Sequence, residues 1–169
     1  GATGSYQANL DTASNSTPFT IESFIRFNST SGNQAICGTF FSGAGWLLQY
    51  NSGTGLVWLN GSGTTVIDTG FAPSANVWRY VCAEFDGTKM RLYTDDGSGN
   101  AVMRISNTNP QQLLTPSNNT AWAIGLSCGS GLGGNSFNGW IDEFRYTKGV
   151  ARYATDTSYP VPTAAFPTS

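Results

Sequence analysis

The sequence contains no histidine. That absence removes the usual general base at neutral pH, every Ser-His-Asp or Cys-His triad, and the commonest side-chain ligand of transition metals. Charge is scarce as well: Asp, Glu, Lys and Arg make up 11% of the 169 residues, less than half the usual share for a soluble domain. With a net charge of −2 and a pI near 4.8, the chain has no basic footprint for nucleic acid and none for anionic lipid. No apolar run is long enough to cross a bilayer as a helix, so membrane insertion is not expected. Cysteine is limited to Cys37, Cys82 and Cys128, an odd number without CxxC spacing. Each sits in an apolar, strand-like stretch, which favours buried free thiols and gives no zinc cluster. Helical periodicity is missing too, because Gly and β-branched residues interrupt every window.

What remains is aromatic, polar and strand-like. Aromatics at 13% supply enough ring surface for a core. Short alternating runs follow one another: "FTIESFIRFN", "QAICGTFF", "GWLLQYN", "GLVWLNGSG", "TTVIDTG", "VWRYVCAEF", "TAWAIGLSCG" and "GWIDEFRYT". Gly, Ser and Asn turns separate them, and Asp86–Gly87 and Asp96–Gly97 read as hairpin turns. The pattern predicts an all-β sandwich in one domain over residues 1–169. Its tail, about 155–169, carries Pro160, Pro162 and Pro167, so it should lie extended against the sandwich rather than form a central strand. Phe24, Ile36, Leu48, Trp78, Val81, Ile124, Ile141 and Phe144 sit mid-strand in apolar runs and are expected in the core. Core packing is also the favoured reading for Trp46, Trp58 and Trp122. In "VWRYVCAEF" both alternation sets are apolar, which marks a strand whose outer face is covered or lines a groove.

The order and spacing of "FTIESFIRF", "VWRYVCAEFDGTKMRLYTDDG" and "AIGLSCG…FNGWIDEFRYTKGVARY" with a Pro-rich end resemble the laminin-G-like branch of the concanavalin A-like lectin/glucanase superfamily. The resemblance implies a jelly-roll sandwich of two antiparallel sheets. The "KGVARY" turn before a Pro-rich tail is also similar to domains of tailed-phage virion proteins. The function implied is a non-catalytic surface-binding or adhesion module for a glycan or glycosylated surface, working outside the cell or on a virion surface. The alternative is a structural virion accessory protein, a capsid decoration or tail-attached protein that binds other virion proteins. A glycoside hydrolase ranks third.

The residues bear on these readings unequally. Glucanases of this superfamily carry E-x-D-x-x-E on one strand, whereas "EFDGTK" over Glu84–Lys89 replaces the third acid with Lys and reads as a turn. Paired carboxyl chemistry is therefore not expected, and no catalytic residue is assigned. Asp142 and Glu143 are neighbours in a strand, so alternation points them to opposite faces, and Glu143 is expected to pair with Arg145. The resemblance implies a structural Ca²⁺ held by Asp142 with carbonyls near Gly4–Tyr6. Sugar recognition needs flat rings and planar amides, which nominates Trp140, Tyr50, Tyr80, Asn135 and Asn138. The "GSGLGG" run lacks the following helix that a nucleotide loop requires.

Overall fold

In a computed structural model of the chain, the described residues are 17–39, 45–60, 65–108, 123–126 and 135–167. They form no helix. The strands in chain order are β1 (Phe19–Phe27), β2 (Gln34–Gly38), β3 (Trp46–Asn51), β4 (Gly55–Asn60), β5 (Thr65–Asp68), β6 (Trp78–Phe85), β7 (Met90–Asp95), β8 (Asn100–Asn107), β9 (Ala123–Ile124), β10 (Gly139–Lys148) and β11 (Ser158–Pro160). Among the described residues they make two antiparallel sheets, one ordered β10-β1-β6-β7-β8-β11 and the other β5-β4-β3-β2-β9.

Alternation in β1 sets the geometry of the larger sheet. Phe19, Ile21, Ile25 and Phe27 enter the core between the sheets, while Thr20, Glu22, Phe24 and Arg26 face outward, as strand periodicity requires. The smaller sheet contributes Trp46, Leu48, Tyr50, Leu56, Trp58 and Ile67 to the same core. Trp46 and Trp58 are diagonal neighbours on β3 and β4. Their rings stack with centroids 4.7 Å apart and planes 7° apart, and Phe19 from the opposite sheet stacks on Trp58 at 5.7 Å. Such diagonal pairs lie within reach of large rings. The other face of the smaller sheet is buried too, around Ala35, Leu47, Val57 and Leu59. That accounts for the near-continuous apolar character of β3 and β4.

The expected core is recovered in part. Ile36, Leu48 and Val81 are buried, and Ile141 and Phe144 pack against the core from β10. Trp78 and Ile124 are corrections, at 43% and 51% exposed. Trp78 is the first residue of β6 and sits on the outward alternation set, while Ile124 lies in a two-residue edge strand. Phe24 also faces outward and packs in a separate cluster on the outer side of the larger sheet. Cys37 and Cys82 are buried free thiols; Trp122 and Cys128 lie outside the described residues. Within the tail, β11 pairs with β8 at the edge of the larger sheet.

Truncation of Trp58 to Ala should cost about 3–5 kcal/mol, as for a large ring lost from a packed core. Trp78→Ala should stay within about 0.5 kcal/mol of the parent. Denaturant melts of the two variants check this, and equal losses would place Trp78 back in the core.

Candidate functional site

The outer face of the larger sheet is divided into a covered part and an open part. The C-terminal segment 150–166 crosses it as a strap. Tyr153, Tyr159, Val161 and Phe166 from the strap pack on Tyr80, Cys82, Tyr93, Phe24 and Met103. Tyr153 and Tyr159 stack at 3.7 Å, and Tyr159 meets Tyr80 and Tyr93 edge-on. Polar contacts fix the strap along its length. Thr20 Oγ1 donates to the Val150 carbonyl at 2.9 Å, Tyr93 OH donates to the Thr155 carbonyl at 2.7 Å, and Phe166 N–H donates to Glu143 Oε2 at 2.8 Å.

Two carboxylates sit beneath the strap with no exposure, Glu22 and Glu84. Glu22 Oε2 accepts from Tyr80 OH at 2.6 Å and from Tyr153 OH at 2.7 Å, while Oε1 takes Arg145 through Nε at 2.8 Å and Nη2 at 2.7 Å. Burial pushes the Tyr80 hydroxyl far up, and the nearby Cys82, Tyr159 and Glu22 add to this, so Tyr80 stays a neutral donor. Glu84 accepts the consecutive N–H groups of Tyr153 at 2.8 Å and Ala154 at 2.6 Å. Ala154 takes a positive φ of 43°, an uncommon conformation for a residue with Cβ, at the point where these donors converge. Asp86 caps the β6–β7 turn: its Oδ1 accepts Thr88 N–H and Lys89 N–H, and its Oδ2 pairs with Arg91 at 2.6 Å. The acids of "EFDGTK" thus hold a strap and a hairpin turn, and they share no open surface.

The Asp142–Glu143 pair departs from simple alternation. The β1–β10 register shifts between Glu22 and Phe24, and Glu143 has φ 49°. This is a bulge that returns Phe144 to the core and leaves both acids off the core face. Arg145 pairs with Glu22 rather than with Glu143 as expected, and its guanidinium lies 3.9 Å over the Phe166 ring. Asp142 is exposed, and its Oδ1 accepts its neighbour's N–H from Glu143 at 2.8 Å. Among the described residues no cluster of three His, Cys, Asp or Glu surrounds it. The Gly4–Tyr6 carbonyls expected to complete a calcium shell lie outside the described residues.

The open part lies where β1, β6 and β10 meet at one end. Arg26 pairs in register with Trp78 on one side and with Trp140 on the other. Gly139 permits this closeness, because a Cβ there would stand 2.0 Å from the Arg26 carbonyl. Trp78 and Trp140 are 43% and 48% exposed, while Arg26 is half-buried. The Arg26 guanidinium lies 4.7 Å over the Trp140 ring and its Nε donates to the Asn76 carbonyl at 3.2 Å. Two indoles on flanking strands stand about 10 Å apart, two strand spacings, with a cation between them.

Of the nominated residues, Trp140 is therefore presented to solvent. Asn138, two residues earlier, is also exposed, although its backbone and Oδ1 are bonded to Asn28 and its N–H to Gln34. Asn135 is half-buried and its carbonyl accepts the Ala35 N–H. Tyr50 and Tyr80 are corrections: Tyr50 packs on Phe27 inside the core and Tyr80 lies under the strap, so neither ring is accessible to a ligand. Sequence reasoning missed Trp78 and Arg26. The usable signal was position, since Trp78 opens its strand and Arg26 nearly closes its own.

A family model for the concanavalin A-like lectin/glucanases superfamily matches residues 1–152. No curated protein matches the chain. Domain 4 of AbnA, a GH43 extracellular arabinanase from Geobacillus stearothermophilus solved with arabinotriose, aligns with TM-score 0.61 and 20% identity, covering 81% of this chain and 64% of that one. A candidate carbohydrate binding protein from Bacteroides ovatus gives 0.61 and 21%, covering 81% and 38%. The CBM40 of Ruminococcus gnavus IT-sialidase, bound to α2,3-sialyllactose, gives 0.58 and 13%, covering 87% and 78%. At these identities the likeness shows the fold. The chain spans less than two-thirds of the first two structures.

The strap's charge pairing makes stability sensitive to acid. Burial would raise the Asp86 carboxyl, but Arg91 and the Lys89 and Thr88 donors outweigh it and hold Asp86 well below the usual carboxylate range. Lys89 and Arg91 likewise lower Asp156. A carboxyl depressed on folding contributes stability above its unfolded value and loses it as pH falls towards the folded value. Thermal stability should therefore decline below about pH 4, with a shallower decline in Asp86→Asn. Identical pH profiles of Tm would contradict the assignment.

Proposed function

The chain belongs to the concanavalin A-like lectin/glucanases superfamily, and from that footing we propose that it is a non-catalytic glycan-binding module whose binding face is the Trp78–Arg26–Trp140 row. The observation that carries the reading is this pair of exposed indoles on adjacent-but-one strands, on a face whose remainder the chain covers with its own strap. Indole faces match the apolar C–H faces of pyranose rings, and nearby polar groups can bond their hydroxyls. Asn138 and Asp142, both exposed and both on the segment that carries Trp140, supply such groups. Structures of similar fold are described as bound to arabinotriose and to sialyllactose, which supports the same class of ligand here. The non-catalytic reading is supported by the use of Glu22, Glu84 and Asp86 in the scaffold.

A glycan array followed by titration calorimetry tests the proposal. Trp78→Ala and Trp140→Ala should each weaken binding at least about tenfold, roughly 1.4 kcal/mol of lost ring contact, with Tm unchanged. Absence of saccharide binding by the parent protein would reject the reading in favour of a face that docks other proteins, as in a virion accessory role.

A further inference from the structure

The basic residues of this protein are few and nearly all committed. Of eight Lys and Arg residues, Arg79, Lys89, Arg91, Arg145 and Arg152 each meet a carboxylate, and Lys148 at the end of β10 is not free either. Arg104 donates to Thr94 Oγ1 and the Asp95 carbonyl and lies over the Phe71 ring. Arg26 differs. Among the described residues no carboxylate pairs with it, and only its Nε has a protein acceptor, the Asn76 carbonyl. That bond and the Trp140 ring beneath it fix the plane of the guanidinium. Its two terminal Nη groups are left without an acceptor among the described residues, at the centre of the open row.

We propose that the row reads acidic glycans, with the Arg26 guanidinium taking the carboxylate of a sugar acid whose ring lies on Trp78 or Trp140. The proposal rests on the glycan-binding reading above and names its ligand class. A guanidinium fork matches a planar carboxylate through two parallel N–H donors, a fit that a point charge does not offer. Because stacking and the Asn76 bond already hold the side chain, little further ordering is needed on binding. Asp142 stands diagonally from Arg26, opposite Phe24 on β10. Its charge favours a singly charged acid over a multiply charged group, and its free oxygen can accept a sugar hydroxyl. The ligand then has a direction, with its carboxylate at Arg26 and hydroxyls towards Asp142.

Matched ligand pairs test this directly: sialyllactose against lactose, trigalacturonate against its methyl ester, and a sulfated disaccharide against its unsulfated form. At low salt the carboxylated member of a pair should bind about tenfold more tightly, as expected for hydrogen bonds between charged groups, and the preference should shrink as salt is added. In Arg26→Gln the ratio should fall to about one, and Arg26→Lys should retain part of it. Melting curves of both variants establish that each is folded. Equal affinity within both carboxylate pairs, a preference for the sulfated ligand over the carboxylated ones, or a carboxylate preference that survives in Arg26→Gln overturns the inference while leaving glycan binding intact. Failure of the parent to bind any of these saccharides, neutral or acidic, rejects both readings.

Discussion

Glu22 is a carboxylate with no solvent exposure in the middle of a sheet face, and much of this structure can be read as the means of satisfying it. A buried charge is tolerated only when paired and hydrogen-bonded on its remaining lone pairs. The partners come from three places at once: Tyr80 from β6, Arg145 from β10, and Tyr153 from the strap. Without the strap one of these donors is lost and Glu22 and Glu84 face water. With it, the face is closed by stacked tyrosines. The position of the open row is a consequence, because it is what the strap leaves uncovered.

The low charge content takes on a specific meaning in this light. Almost every charged side chain is spent on a structural task. Glu22 and Glu84 dock the strap, Asp156 ties it to Lys89 and Arg91, and Asp86, Asp95 and Asp96 cap the two hairpin turns through backbone N–H groups. A sandwich whose surface is mostly Gly, Ser, Thr and Asn has few other means of fixing loops. An arginine with no such duty, flanked by two exposed indoles, stands out against that background.

The sandwich was legible in the sequence because strand alternation and turn residues are local signals. Phe19, Ile21, Ile25 and Phe27 of β1 could be read as one face, and the Asp86–Gly87 turn could be placed, for that reason, although Phe24, expected in the core, faces outward. What was not legible is non-local. Tyr80 has the sequence context of a groove residue, and only the strap, some seventy residues later, buries it. Trp78 has the context of a core residue, and only its place at the end of a strand exposes it. The bulge at Glu143 shifts alternation by one residue, and no residue type in "WIDEFRY" announces it. The proline content of the tail said nothing of the polar contacts beneath the strap.

The row's placement on strands rather than loops has a further consequence for specificity. Arg26 lies between two backbone-paired neighbours, and the close approach of Gly139 to the Arg26 carbonyl leaves β10 no room to move nearer. Such a site is held by ladder hydrogen bonds before any ligand arrives, so its selectivity resides in side-chain identity rather than in rearrangement. The sandwich backbone tolerates wide sequence divergence, as the 13–21% identities to similar structures illustrate. One substitution in the row can therefore change the proposed binding face without disturbing the Trp46–Trp58 core. In the proposed reading, function is set by a handful of outward positions, and the core fixes only where they stand.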